Sequence, residues 1–150
     1  MICAVVAAIG PQVTRAAVQH AFTASYSGHG SGSVSGSSAS GSVTATGRGT
    51  RIGRGTLTGS GAGVLTGGRC VVFSASVVLK GTRGSIKLAI RGAQACVGSS
   101  GATSVSFSGS ARVTGGTSTF AHARGTLSFH GTYHSQGSAV TISLRGRIRY

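Results

Sequence analysis

The chain of 150 residues contains neither aspartate nor glutamate. Average usage would place about 18 acidic residues in this length, so their absence is a property of the protein. It excludes carboxylate acid–base pairs, carboxylate-bound metals and Ser-His-Asp triads, and it points away from an enzyme. Tryptophan is also missing, aromatic residues amount to 5%, and the one proline is Pro11. The core must therefore be thin, built mainly from Val, Ile, Leu and Ala. No apolar run reaches the ~20 residues of a membrane-spanning helix. No helix of ordinary length is visible after residue 21, which excludes a helical bundle.

What remains is glycine, serine, threonine, valine and positive charge. There are 27 glycines, and the formal net charge is +14. Arginine supplies most of that charge, and its planar fork suits carboxylate, sulfate and phosphate groups on another molecule. With no internal carboxylate side chain, solvent ions or a partner must neutralise the surface. Acid unfolding mostly reflects native carboxylates taking up protons, so stability is expected to vary little between pH 5 and pH 2.

Ile2 to Ile9 is a short apolar run closed by Gly10-Pro11. Residues 1–21 resemble a secretory signal with small residues before a cut after about Ala21, although no cation precedes the run; the alternative is an N-terminal strand or short helix capping the core. A secreted or cell-surface protein would follow, its single domain spanning residues 22–150. Cys3 would leave with that segment, and Cys70 and Cys96 are then read as one disulfide, with a pair of buried free thiols as the alternative.

From Phe22 onward, stretches of 6–11 residues alternate in the manner of β-strands, separated by glycine clusters. Ser27 to Gly49 reads either as a loop or as one or two weak strands. Arg69 to Lys80 and Ser85 to Arg91 form a hairpin, with Ile86, Leu88 and Ile90 on one face and Lys87 and Arg91 on the other. Thr126 to His134 turns Leu127, Phe129 and Tyr133 inward. In the last strand Val140, Ile142, Leu144 and Ile148 alternate with Arg145, Arg147 and Arg149, a cationic stripe spaced by about 7 Å. The whole predicts an all-β, antiparallel eight-stranded barrel, with a two-sheet sandwich as the alternative.

Val113 to Gly125 runs V-T-G-G-T-S-T-F-A-H-A-R-G. This resembles the G-G-T-G-x-F-x-x-A-R-G signature of dirigent proteins and the related allene oxide cyclase barrels, with Ser118 in place of one glycine. The resemblance covers roughly residues 110–150. It implies a calycin-like barrel around a central cavity, usually secreted and in some members a trimer, so a homo-oligomer is among the expectations. The family's chemistry relies on cavity aspartates, which this chain lacks.

His122, His130 and His134 suggest a metal site, but His130 and His134 lie about 13–14 Å apart along one strand, so neither metal nor cofactor is expected. The serines lack a nucleophile elbow and an acidic partner, and the glycine runs lack the Lys-Ser/Thr of a phosphate loop.

Two functional expectations result. The first is a non-catalytic barrel whose cationic surface binds an anionic polymer: polysaccharide, envelope phosphate or, non-specifically, nucleic acid. Its contacts would be Arg145, Arg147 and Arg149, supported by Arg48, Arg51, Arg54, Lys87 and Arg91. The second is a small hydrophobic ligand, bound or cyclised or isomerised, in a cavity lined by Tyr26, Phe73, Phe107, Phe129 and Tyr133, with Arg124 beside them, its motif position favouring a role in organising the turn over a catalytic one. A third possibility gives the charge no partner and a role in acid tolerance alone.

Overall fold

The computed structural model describes residues 10–11, 17–98 and 103–150. Most of the signal-like segment, Cys3 included, lies outside them. Eight antiparallel strands close into one barrel in simple up-and-down order. They are β1 (His20–Ser35), β2 (Ser38–Gly49), β3 (Gly53–Leu65), β4 (Cys70–Gly81), β5 (Gly84–Val97), β6 (Ser104–Gly116), β7 (Arg124–His134) and β8 (Ala139–Arg149). β1 pairs with both β2 and β8, so no sheet edge is left open. β1 starts at His20, two residues before the expected domain start, and His20 stacks on Tyr150 with ring centroids 5.0 Å apart.

Alternation explains the shape. Along β8, Val140, Ile142, Leu144 and Ile148 are buried while Thr141, Arg145, Arg147 and Arg149 are exposed. The same two-residue period runs through the other strands, putting apolar side chains inside and Ser, Thr and Arg outside. The ambiguous stretch from Ser27 to Gly49 is the β1–β2 hairpin, an ordered part of the barrel. In β5 the ladder to β6 shifts between Ile90 and Gln94, and Gly92 there takes a φ of 65°. This bulge re-phases the strand so that Ile90 and Ala93 both face inward.

The two ends of the barrel differ. One end carries the turns β2–β3, β4–β5 and β6–β7 together with the end of β8. Ile52, from the β2–β3 turn, and Phe120, from the short 3-10 helix Ser118–Phe120, fold back over this end and are fully buried. Arg51 has a φ of 72° and Gly53 one of 81°, and this tight reversal aims Ile52 inward between them. Phe120 meets the Tyr150 ring edge-on at 4.9 Å. The opposite end, with turns β1–β2, β3–β4, β5–β6 and β7–β8, has no comparable plug among the described residues.

Cys70 and Cys96 face each other across β4 and β5, with Cα atoms 4.1 Å apart, and form a disulfide near the open end. Such bonds persist in oxidising compartments, which places the folded chain in an oxidising setting.

Candidate functional site

Two regions of this barrel can engage another molecule: its lumen near the open end, and a groove on its outer wall near the closed end. The lumen holds a cavity of about 240 Å³ that runs from Leu57, Leu88 and Leu144 at the waist to Gly32 and Gly41 near the mouth. Its wall on β1, β2 and β3 is rich in glycine, and its opposite wall carries Phe73, Phe107, Phe129 and Tyr133.

The register of β6 and β7 explains why these rings leave room. Phe107 lies opposite Gly131, and Phe129 opposite Gly109. A Cβ at Gly109 would sit 3.2 Å from the Phe129 ring, and one at Gly131 would collide with the Phe107 ring. Each ring therefore lies down over the bare backbone of its partner strand, as aromatic residues do over strand glycines. The ring centroids are 6.4 Å apart. Apolar wall is gained while the middle of the barrel stays open.

Of the residues expected around this cavity, Phe73, Phe107, Phe129 and Tyr133 line it. Tyr26 does not: it is buried in the core at 3% exposure, outside the lining. Its hydroxyl has no hydrogen-bond partner among the described residues, and burial pushes its pKa from 10.0 up to about 12. Arg124 also lies outside the lining, and it takes the turn-organising place that its motif position suggests. It begins an outward position of β7, and its guanidinium donates to the carbonyl oxygens of Thr114 and Ala123, each at 2.7 Å. Its place in the strand period directs it away from the lumen.

The outer wall is sorted by charge. Arg48, Arg51, Arg54, Lys80, Arg83, Lys87, Arg112, Arg124, Arg145, Arg147 and Arg149 are exposed on the closed half or its turns, and Arg91 lies at the waist of β5. Among the described residues only Arg69 lies at the open end, where its guanidinium donates to the Gly98 carbonyl oxygen. The open half is clad mainly in neutral serine and threonine, with hydroxyl pairs such as Ser31–Ser42 at 3.0 Å and Ser33–Ser40 at 3.2 Å, and with the exposed, directly opposed Val64 and Val72 among them.

The expected stripe Arg145, Arg147 and Arg149 forms as a row on β8. Arg147 and Arg149 join Arg112 and Arg124 around a depression of about 680 Å³ on the face of β6, β7 and β8, with Gln19 at its edge. Arg112 is not among the residues that local sequence spacing singles out. Thr126 is the signal that finds it, since it lies opposite Arg112 on one side and Arg147 on the other. Arg48 and Arg54 form a directly opposed pair flanking Arg51 at a separate turn, and Lys87 and Arg91 lie on β5. The eight expected anion contacts thus share the outside of the barrel but fall into three clusters.

No family model and no curated protein sequence matches this chain.

Proposed function

We propose that this protein is a non-catalytic binding barrel, acting outside the cell or at its surface, that holds one small apolar molecule in its open half. The cavity carries the reading. It exceeds the ~150 Å³ apolar cavity that takes up benzene and falls below the ~300 Å³ at which drug-sized sites begin. Its occupant is accordingly a single ring with short substituents, or a short alkyl chain. The lining contributes one polar side-chain group beyond serine, the Tyr133 hydroxyl, so shape and apolar contact set the selectivity.

Two further features support the reading. The aromatic–glycine pairs hold the lumen open at positions that larger residues would fill. The plug at the other end uses Phe120, from the stretch that resembles the dirigent and allene oxide cyclase signature, and those families are barrels around a cavity. Their acid chemistry has no counterpart here, because no carboxylate side chain exists. Binding without turnover is what the remaining groups can support.

Toluene and n-hexane, both neutral, test the reading without involving the arginines. A ligand at 100 times its Kd stabilises the folded state by about 2.7 kcal/mol, so saturating toluene should raise Tm by several degrees. Ala75→Phe projects a ring from the cavity wall and should abolish the shift while leaving the fold intact. An unchanged Tm in the wild-type protein with both compounds would remove the proposal.

A further inference from the structure

The groove on the closed half is independent of the lumen, and it has a defined geometry. Arg112 and Arg147 stand on β6 and β8, each opposite Thr126, so two strand spacings, about 10 Å, separate them. Arg147 and Arg149 are two residues apart on one face, about 7 Å, and Arg149 lies opposite Arg124. Arg124 is tied at 2.7 Å to two backbone carbonyls, which fixes the position of its charge without neutralising it. Holding four guanidinium groups together with no carboxylate side chain in the chain opposes folding through mutual repulsion. An anionic partner bridging them removes that cost.

We infer that the outer face of β6, β7 and β8 is a binding site for an acidic polysaccharide, a chain bearing carboxylate or sulfate groups. Charge alone would serve any polyanion, and the lining discriminates. Thr114, Thr126 and Gln19 lie among the arginines and offer hydroxyl and amide partners to sugar hydroxyls. Among the described residues no aromatic side chain lines the depression, whereas single-stranded nucleic acid draws much of its affinity from stacking bases on such rings. The groups are spread over roughly 7–10 Å of sheet, which matches several charges along a polymer better than one compact ion. Guanidinium forks can meet carboxylate or sulfate with two parallel hydrogen bonds each.

The test uses the intact chain and two labelled probes, a heparin octasaccharide and a sixteen-residue oligothymidylate, read by fluorescence anisotropy at 50 and 200 mM salt. The octasaccharide should bind more tightly than the oligothymidylate. Arg112→Ser with Arg147→Ser should raise its Kd at least tenfold and lower the salt slope by about two, one for each guanidinium removed. Arg48→Ser with Arg54→Ser removes the same charge from the opposed pair at the β2–β3 turn and should change Kd less than threefold. Equal losses from both double variants would reduce the effect to net charge and overturn the inference. Tighter binding of the oligothymidylate, or no binding of either probe at 50 mM salt, would do the same. Arg149→Ser, at the end of β8, repeats the comparison with the least disturbance of the sheet. Arg147→Lys keeps the charge and should still weaken binding several-fold, because an ammonium cannot form the two parallel hydrogen bonds of a guanidinium.

Discussion

At the closed end, inward positions are filled by Phe22, Leu79, Ile86, Val113, Leu127 and Ile148, each at 0% exposure. Toward the open end the inward positions become Gly30, Gly32, Gly41, Gly61, Ala75 and Ala95. The same eight strands thus build a packed half and a roomy half, and the outside follows the division. Cations crowd the packed half, and uncharged side chains, mostly hydroxyls, cover the roomy one. Repulsion among unpaired arginines is borne where dense packing can offset it, and the cavity is left where little charge needs holding together.

The sharpest way to break this comparison is to truncate one ring at each end. Phe120→Ala removes a fully buried plug and should cost about 3–5 kcal/mol, read from urea unfolding. Phe73→Ala removes a half-buried ring from the cavity wall, where the space is already open, and should cost less than half as much. It should also let the barrel accept a larger ligand. Equal costs would mean that both ends are packed alike.

The disulfide gives the roomy half a substitute for packing. Cys70 and Cys96 are separated by 26 residues, and the chain-entropy relation assigns such a bridge about 3.5 kcal/mol. Replacing both cysteines by serine should lower stability by that order. Amide exchange should accelerate in β4 and β5 near the bridge while the closed end stays protected. Uniform acceleration through the barrel would show that the two halves unfold as one unit.

The same contrast decides how much of the fold the sequence reveals. β7 and β8 are legible because their inward positions carry Leu127, Phe129, Val140, Ile142 and Leu144, which alternate against Ser, Thr and Arg. β1 and β2 are opaque from Ser27 to Gly49 because their inward positions include Gly28, Gly30, Gly32, Gly41 and Gly47. Alternation between glycine and serine carries no hydropathy signal, although the geometry is the same. The site is legible in part for a related reason. Arg145, Arg147 and Arg149 share one strand, so their period shows directly. Arg112 reaches them only through the register of β6 with β7, and pairing between strands is not written in local spacing. The motif position of Arg124 suggests a turn-organising side chain, and its two carbonyl partners and outward place in β7 agree with that while keeping it from the lumen.

The pH response follows from the missing carboxylates and one buried phenol. With no carboxylate side chain, the urea midpoint should stay nearly constant between pH 5 and pH 2, a small effect where most proteins show a large one. At alkaline pH the buried Tyr26 takes over. Its folded-state pKa of about 12 lies above the unfolded value of 10.0, so from pH 10 to 12 the folded state holds the proton more tightly. Stability supplied by the neutral phenol is therefore complete below pH 10 and lost as pH rises toward 12. Tyr26→Phe should blunt that loss, and at neutral pH it should stabilise the protein by about 1 kcal/mol by removing an unpartnered hydroxyl from the core. A destabilised Tyr26→Phe variant would show that the hydroxyl is satisfied in solution.

The smallest expected effect compares one strained serine at each end. Ser118 in the β6–β7 turn has a φ of 54°, and Ser138 in the β7–β8 turn has a φ of 56°. Left-handed backbone costs a non-glycine residue about 1–2 kcal/mol, and glycine returns about 0.5–1 kcal/mol of that as extra entropy of the unfolded chain. Ser138→Gly should therefore gain about 0.5 kcal/mol. Ser118 faces a second demand, because its carbonyl oxygen accepts from the Ala121 amide at 3.1 Å in the turn that holds Phe120 over the closed end. If that hydrogen-bonded turn and the buried ring fix the loop, Ser118→Gly gains the same amount as Ser138→Gly. If Ser118→Gly instead lowers Tm while Ser138→Gly raises it, the serine itself restrains the plug, and the closed end owes part of its packing to a residue held against its own backbone preference.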